Sequence, residues 1–171
     1  MDFMDLIHTR RSVRSFTTRE ITPIQLAKIL ESARMAPSAG NLQAYEIYIV
    51  RSEERRWELS RAAYGQDFIA AAPLVLVFCA HPALSALRYG LRGQKLYAIQ
   101  DATIACTFAM LTVYDLGLAT VWVGSFDVRE VQQVIGAPEE HLPVAILPIG
   151  QAAEVPEARP RRPLEDFVHE V

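Results

Sequence analysis

An arginine cluster near the N-terminus is the first feature of the sequence that could bind a ligand. Arg10, Arg11 and Arg14 are interspersed with the hydroxyl residues Ser12 and Ser15. Guanidinium groups this close repel one another unless an anion or an acidic partner neutralises them. Phosphate would do so, because each arginine can donate two hydrogen bonds to its oxygens and Ser12 adds a hydroxyl donor. The cluster therefore indicates either a phosphate-binding site or a solvated basic turn.

Three further segments carry groups suited to ligand binding. The loop 35–43 contains Asn41 and Gln43, whose carboxamides can each donate and accept, as recognition of a planar heterocycle or a polyol requires. Gly124, at the end of a predicted strand, would let a flat ligand lie close to the backbone. A second basic cluster lies at 159–163 on a proline-rich tail. Taken singly, these segments are more typical of an ordinary turn, a strand end and a solvated tail.

The sequence lacks the motifs of several other catalytic classes. It contains no glycine-rich dinucleotide or triphosphate loop and no G-x-S-x-G nucleophile elbow. Isolated histidines are more typical of a surface than of a metal centre. The histidines are far apart in sequence and have no i, i+4 pairing: His8, His81, His141 and His169. We therefore predict no metal ligands.

Alternating helical and strand patterns position these segments. Helices are predicted over 2–9, from Thr22-Pro23 to Pro37, over 53–64, between 97 and 116, and over 128–135. Strands are predicted over 45–50, 74–80, 119–123 and 142–150. The most apolar helix carries a stripe of small residues that suits packing in the core or against a second subunit: Ala98, Ala102, Ala105 and Ala109. The pattern predicts an α+β domain over 1–154, with an extended C-terminal arm over 155–171.

Composition limits the classes of protein that the chain can represent. With 171 residues, of which 51% are hydrophobic and 22% charged, it has the balance of one soluble globular domain. A net charge of −3 argues against a nucleic-acid binder. The longest apolar run, 68–80, is too short to span a membrane, and the N-terminus lacks a signal-peptide pattern. Cys79 and Cys106 lie in apolar surroundings and are predicted to be buried free thiols of a cytoplasmic protein.

The order of the motifs resembles that of the FMN-dependent nitroreductase family. Arg-Arg-Ser-x-Arg lies near the N-terminus, Pro-Ser-x-x-Asn-x-Gln follows the next helix, Trp-x-Gly lies on a late strand, and Arg-x-Arg-x-Pro-Leu-Glu lies on the tail. The resemblance spans nearly the whole chain and indicates a compact member. It implies a nitroreductase-like sandwich, in which helices flank a mostly antiparallel sheet, and an intertwined homodimer with FMN at the interface.

The resemblance also implies a cofactor-binding role for particular residues. Those expected to hold the FMN phosphate and the nearby flavin edge are Arg10, Ser12, Arg14 and, through its backbone, Arg11. Those expected to close over the phosphate and the pyrimidine side are Arg159 and Arg161. Those expected from the other subunit are Pro37, Ser38, Asn41 and Gln43. Those expected to line the flavin face are Trp122, Val123, Gly124 and Ser125. Many relatives carry a glutamate beside the glycine of this last segment, and this chain does not.

The implied activity is that of an NAD(P)H-dependent FMN oxidoreductase without a catalytic side chain, because the flavin carries the electrons. NADH or NADPH would pass hydride to the flavin, and a small acceptor such as a nitroaromatic or a quinone would then be reduced, which predicts ping-pong kinetics. The implied partners are a second copy and the small-molecule acceptor, with no nucleic acid and no membrane. Two alternatives stay open: specialised flavin chemistry (dehalogenation, azoline oxidation or flavin fragmentation) and a non-catalytic FMN-binding redox module.

Overall fold

A four-stranded sheet forms the centre of the computed structural model, which describes residues 2–171. The strands are β1 (Tyr45–Val50), β2 (Leu74–Ala80), β3 (Ala119–Thr120) and β4 (Leu142–Gly150). They lie in the order β1-β2-β4-β3, and the pairings β1–β2, β2–β4 and β3–β4 are all antiparallel. The antiparallel sheet is as predicted.

Helices cover both faces of this sheet. They are α1 (Phe3–Thr9), α2 (Pro23–Arg34), α3 (Glu53–Ala62), α4 (Phe68–Ala71), α5 (Pro82–Arg92), α6 (Ala98–Asp115) and α7 (Val128–Ile135). Short 3₁₀ turns cover Ala39–Asn41 and Leu164–Asp166, and a π-helical turn covers Gly93–Tyr97. Helices α2 and α6 pack on one face, and α3, α4 and α7 pack on the other. The layers confirm the predicted α+β class.

Strand β2 lies in the middle of the core, and all of its residues are buried. Leu76 and Phe78 point toward α2 and α6, whereas Val75 and Val77 point toward α3 and α7. A strand covered on both faces is a continuous apolar run in the sequence, which is why its bounds were predictable.

The alanine stripe of α6 belongs to the core of this chain. Its members are all fully buried without a second copy: Ala98, Ala102, Ala105 and Ala109. They pack in the clusters that join α6 to α2 and to the sheet. Small side chains at these positions let the helix approach its neighbours closely. The use of this stripe as a sign of contact with a second subunit was therefore wrong.

The helical segment Pro82–Asp115 is long and apolar enough, by length and composition, to cross a membrane. This segment does not overlap the apolar run 68–80. The backbone at Gly90 has a φ of +54°, which interrupts the helix there. The second half of the segment is α6, in which Cys106 and Val113 are fully buried against the rest of the chain. A core helix of a soluble protein can have the same length and composition, and α6 is a core helix in this fold.

Strand β3 is shorter than predicted. Ala119 and Thr120 are hydrogen-bonded to β4, and Val123 forms an isolated bridge with Ile146 further along. In this register Val121 lies opposite Pro148, which has no N–H to donate, so the ladder is interrupted there. The short helices α4 and α5 were not predicted, because α4 is part of the same apolar run as β2 and α5 contains a glycine.

The start of α2 depends on a capping box. Thr22 Oγ1 accepts a hydrogen bond from Gln25 N at 3.2 Å, and Gln25 Oε1 accepts one from Thr22 N at 3.0 Å. We expect Thr22→Ala to lower the free energy of unfolding by about 1 kcal/mol, because two amides at the helix start lose an ordered partner. Urea unfolding measures the effect, and Thr22→Ser, which keeps the hydroxyl, is the control. Equal stability of all three proteins would contradict the capping role.

Candidate functional site

Arginines from both ends of the chain line one cavity, with a volume of about 540 Å³. We call it the arginine cavity. Its lining residues are Arg10, Arg11, Ser12, Arg14, Pro156, Glu157, Arg159 and Arg161. The N-terminal cluster and the basic tail, which are distant in sequence, therefore share one surface.

Backbone contacts hold the N-terminal cluster against the sheet and the tail. Val13 is buried, and its N–H donates to Thr120 O at 3.1 Å. The Arg14 N–H donates to Glu154 Oε1 at 2.5 Å. This segment therefore runs between β3 and the chain that follows β4, which explains why Arg10–Arg14 meets the tail.

The arginine cavity is strongly electropositive. Burial, followed by the charges of Arg161 and Arg11, lowers the pKa of Arg10. Among residues 2–171, no carboxylate forms an ion pair with an arginine of the cavity. An anion would relieve this repulsion, and the oxygens of a phosphate match the paired donors of a guanidinium group.

Two arginines of the N-terminal cluster, Arg11 and Arg14, have side chains that contact other groups of the same chain. Arg11 Nη1 donates to His8 O at 2.8 Å and to Arg10 O at 2.9 Å, so its guanidinium group is held at the end of α1. The Arg14 guanidinium carbon lies 6.0 Å from the centroid of the Phe68 ring. Arg10 is partly buried, and its side chain forms no such contact with residues 2–171, which makes it the strongest candidate for an anion contact.

The segment after β3 exposes only part of its predicted binding residues. Val123 is buried, and its N–H and C=O both bond to Ile146 at 3.0 and 2.9 Å. Trp122 is partly buried and packs against the core. Gly124 and Ser125 are exposed. Contact with a ligand from this segment therefore rests on Gly124 and Ser125 and on the exposed part of Trp122.

A turn before α4 connects this segment to the arginine cavity. Gln66 Nε2 donates to Ser125 O at 3.0 Å. Phe68 follows two positions later and carries the Arg14 guanidinium group over its ring. The exposed end of the 122–125 segment and the N-terminal arginines thus both contact the stretch 66–68.

Pro37 and Ser38 line a different cavity, of about 510 Å³, which we call the Ser38 cavity. Its lining residues are Pro37, Ser38, Ala39, Tyr97, Gln100, Asp101, Thr103 and Ile104. Within residues 2–171, the two cavities share no lining residue. Within one chain, the structure therefore does not bring Pro37 and Ser38 to the arginine cavity.

Asp101, which sequence reasoning missed, shapes the loop beside the Ser38 cavity. Its side chain is buried, and Oδ1 accepts from Ala39 N at 2.9 Å while Oδ2 accepts from Ala44 N at 3.3 Å. A buried carboxylate that accepts from both ends of a loop fixes the path of that loop. The available signal was an acidic residue in the first turn of the most apolar helix.

Asn41 and Gln43 are bonded to each other. Gln43 Nε2 donates to Asn41 O at 2.8 Å and to Asn41 Oδ1 at 2.5 Å, and Gln43 N donates to Ser38 Oγ at 3.0 Å. Their φ angles of +57° and +46° lie in the left-handed region, which non-glycine residues adopt at a cost. The side chain of Gln43 therefore stabilises the conformation of the loop, and this conformation does not require a bound ligand.

Two of the histidines interpreted as isolated surface residues are only partly exposed and lie side by side. The side chains of His81 and His141 are 24% and 16% exposed, and their ring centroids lie 4.7 Å apart. Residues that follow β2 and precede β4 become neighbours because these strands pair. The interpretation of these two histidines as isolated residues was therefore wrong, since separation in sequence does not report distance across a sheet.

The cysteines do not provide a reactive group. Both are buried and free, as predicted. Burial, with a smaller contribution from Glu46, raises the pKa of Cys79 to about 12, and burial raises the pKa of Cys106 well above its ordinary value. Because the thiolate is the reactive form, only about one Cys79 in 10⁴ would be ionised near pH 8.

We therefore expect iodoacetamide to leave the folded chain unmodified near pH 8 and to alkylate both thiols in urea. Mass spectrometry of the intact chain counts the modified cysteines in each case. Rapid alkylation of the folded protein would contradict the assignment of both thiols as buried and protonated.

The fold and the cavity define an α+β protein with an arginine-lined cavity assembled from segments near both ends of its chain. The model of the nitroreductase family matches residues 7–151. The chain belongs to the nitroreductase family.

Individual relatives agree with this assignment. The FMN reductase [NAD(P)H] of Bacillus subtilis is 32% identical, over 94% of this chain and 70% of that protein. The oxygen-insensitive NADPH nitroreductase of Salmonella typhimurium is 30% identical, over 98% of this chain and 72% of that protein. The structure of the NADPH:FMN oxidoreductase from Vibrio harveyi complexed with NAD⁺ has a TM-score of 0.88 and 28% identity, over 98% of this chain and 76% of that chain. The predicted family, fold class and oxidoreductase function are confirmed.

Proposed function

We propose that this chain is an NAD(P)H-dependent FMN oxidoreductase that reduces small acceptors such as nitroaromatics or quinones. The observation that supports this most is the set of arginines that meets Ser12 in the arginine cavity. These donors fit the phosphate of FMN, since each guanidinium can donate two hydrogen bonds to its oxygens. Family membership supplies the reaction class, and the relatives named FMN reductase [NAD(P)H] and NADPH nitroreductase supply the cofactor pair.

The chain's own residues bind and orient in this proposal. Arg10, Ser12 and Arg14 would hold the phosphate, with Arg159 and Arg161 closing over it from the tail. Gly124 and Ser125 would approach the ring system. When bound, FMN supplies the hydride and electron chemistry. The arginines would also stabilise negative charge that develops on the bound group, so they serve the reaction as well as binding.

Turnover by the FMN-loaded protein tests the function. We expect steady oxidation of NADH or NADPH with a quinone or a nitroaromatic acceptor. Parallel lines in double-reciprocal plots are expected, because the nucleotide must leave before the acceptor enters. An FMN-loaded protein that turns over neither nucleotide with either class of acceptor would contradict the proposal.

A second copy of the chain would complete the site. The Ser38 cavity and the arginine cavity are separate in one chain, so another chain must supply one half if both contact FMN. Surface that a partner could cover is present in an apolar groove of about 410 Å³ between α1 and α6, which includes Phe3 and Phe108. The C-terminal arm carries further exposed apolar residues, namely Leu164, Phe167 and Val168. Exposed apolar surface of this kind supports association.

Sedimentation of the FMN-loaded protein measures this association. We expect the mass of a homodimer. A stable FMN-loaded monomer would contradict a site shared between two copies, while leaving the oxidoreductase function untouched.

We place the enzyme in the cytoplasm. Its cysteines are free thiols, and free thiols are typical of a reducing compartment. NADH and NADPH, the proposed reductants, are cytoplasmic metabolites. Cell fractionation that finds the chain with the soluble cytoplasmic proteins would support this location, and recovery outside the cytoplasm would contradict it.

A further inference from the structure

Two histidines and a carboxylate meet at one end of the sheet. Glu46 lies on β1, His81 follows directly after β2, and His141 directly precedes β4. These three strands are neighbours, and Ala80 pairs with Leu142 in the register between β2 and β4. The three side chains are therefore brought together by strand pairing.

The ligand atoms of these side chains are close enough to share one ion. His81 Nδ1 lies 3.0 Å and His141 Nε2 lies 4.0 Å from Glu46 Oε1. One ligand atom from each residue lies within 4.8 Å of the other two. Tetrahedral zinc, with bonds of about 2.0–2.2 Å, holds its ligand atoms about 3.3–3.5 Å apart. Small side-chain adjustments would therefore place all three on one ion.

Tyr48 is placed to orient one of the ligands. Its hydroxyl lies 2.6 Å from His141 Nδ1. In the tautomer that carries the proton on Nδ1, His141 donates to Tyr48 and the lone pair of Nε2 is free to bind a metal. A hydrogen-bonded second partner of this kind is typical of a metal-binding histidine.

The backbones of both histidines are fixed without an ion. His81 N donates to Ala44 O at 2.9 Å, and Gln132 Nε2 donates from α7 to His141 O at 3.0 Å. The side chain of Glu46 is 41% exposed, so an ion can enter from solvent. Ligands held in place on paired strands lose little freedom when an ion binds.

We propose that Glu46, His81 and His141 bind a divalent transition metal ion, with Zn²⁺ as the ion that suits these donors best. Two imidazole nitrogens and one carboxylate oxygen supply three positions of a tetrahedral ion and leave the fourth for water. The ion would join β1, β2 and β4 at one end of the sheet. Its binding would therefore stabilise the folded chain.

This metal site is separate from the arginine cavity. Tyr48 pairs with Val77, Val77 with Ile146, and Ile146 with Val123, so a single row crosses the sheet. Tyr48 lies at the β1 edge of that row and Val123 at the opposite edge. None of the three proposed ligands lines the arginine cavity. The metal site therefore does not depend on the proposed oxidoreductase function.

Calorimetric titration of the metal-free 171-residue chain with ZnCl₂ near neutral pH tests the site. We expect saturation at one Zn²⁺ per chain, with an affinity at least about 10-fold lower in Glu46→Gln and in His81→Gln, because each variant removes one direct ligand. Mg²⁺ should not bind, since it prefers an all-oxygen shell. His169→Gln, which changes an exposed histidine of the tail, is the matched control and should bind as the unmodified chain does.

Thermal unfolding and proton NMR test the same site independently of calorimetry. Zn²⁺ should raise the thermal unfolding temperature of the unmodified chain and of His169→Gln, and should raise that of both ligand variants less at the same Zn²⁺ concentration. In proton NMR of the unmodified chain, Zn²⁺ should shift the imidazole signals of His81 and His141 and not those of His8 and His169. This result does not require that any variant folds. Absence of saturable binding, equal binding by the ligand variants, or shifts confined to His8 and His169 would overturn the site and leave only a histidine–carboxylate hydrogen bond.

Discussion

Replacing Arg10 with alanine is expected to weaken FMN binding by about 1–3 kcal/mol, or roughly 5- to 150-fold. Arg10 is a partly buried cation of the arginine cavity, and its pKa is lowered by that burial and by Arg161 and Arg11. A bound phosphate would therefore gain a charge-assisted hydrogen bond to a group that forms no ion pair with a carboxylate of residues 2–171. Removing the guanidinium group removes that bond.

Fluorescence of released FMN measures the dissociation constant in each variant. Arg129→Ala is the matched control, since Arg129 is an exposed arginine of α7 outside the cavity. Arg10→Lys should fall between the two, because lysine keeps the charge and loses the planar pair of donors. Unchanged FMN retention in both Arg10→Ala and Arg14→Ala would count decisively against the assigned phosphate site.

Asp101→Ala is expected to lower the free energy of unfolding by about 2–5 kcal/mol. The Asp101 carboxylate is only 2% exposed and accepts from the amides of Ala39 and Ala44. Without it, the amides of buried Ala44 and partly buried Ala39 lose their acceptor. An unsatisfied buried group costs about 1–3 kcal/mol, and a partly exposed one costs less. The loop that carries Ser38 should also lose its shape, so FMN affinity should fall with stability if this loop completes the site.

Urea unfolding followed by circular dichroism measures the change. Asp101→Asn keeps the side-chain volume but has one accepting oxygen, so its loss should be smaller than that of the alanine variant. Glu20→Ala, which removes an exposed carboxylate, should stay within about 0.5 kcal/mol of the unmodified chain. A similarly small change in Asp101→Ala would show that the carboxylate does not hold the loop.

Several elements begin and end where local sequence patterns place them. These are β1, β2, α7 and β4. Strands β2 and β4 are apolar runs flanked by residues that end the apolar pattern. Helix α7 begins after the Asp127 cap and ends at Gly136, where φ is +64°. Where the signal lies within a few residues, the boundary could be predicted.

Features that depend on contacts across the fold could not be predicted in the same way. The early end of β3 depends on Pro148 in another strand. The role of Asp101 depends on a loop that precedes β1, and the proximity of His81 to His141 depends on the pairing of β2 with β4. None of these contacts leaves a periodic or short-range pattern in the sequence.

The candidate site falls between these cases. Each of its segments alone is typical of an ordinary turn or tail, and only their order indicates a family. That order led to the expectation that Arg10 and Arg161 lie together, which the geometry of the arginine cavity agrees with. Ser38 lies in a separate cavity of the same chain. Its predicted contact with FMN requires a second copy, and the fold of one chain does not specify contacts between copies.

The difference in affinity between FMN and riboflavin is the most direct test of the arginine cavity as the phosphate site of a flavin enzyme. The two molecules share their ring system and sugar chain and differ by the phosphate group. Because several guanidinium groups would contact that phosphate, we expect FMN to bind about 100-fold more tightly or better, and Arg10→Ala to narrow the difference. Equal affinity for FMN and riboflavin in the unmodified protein would contradict the proposed site.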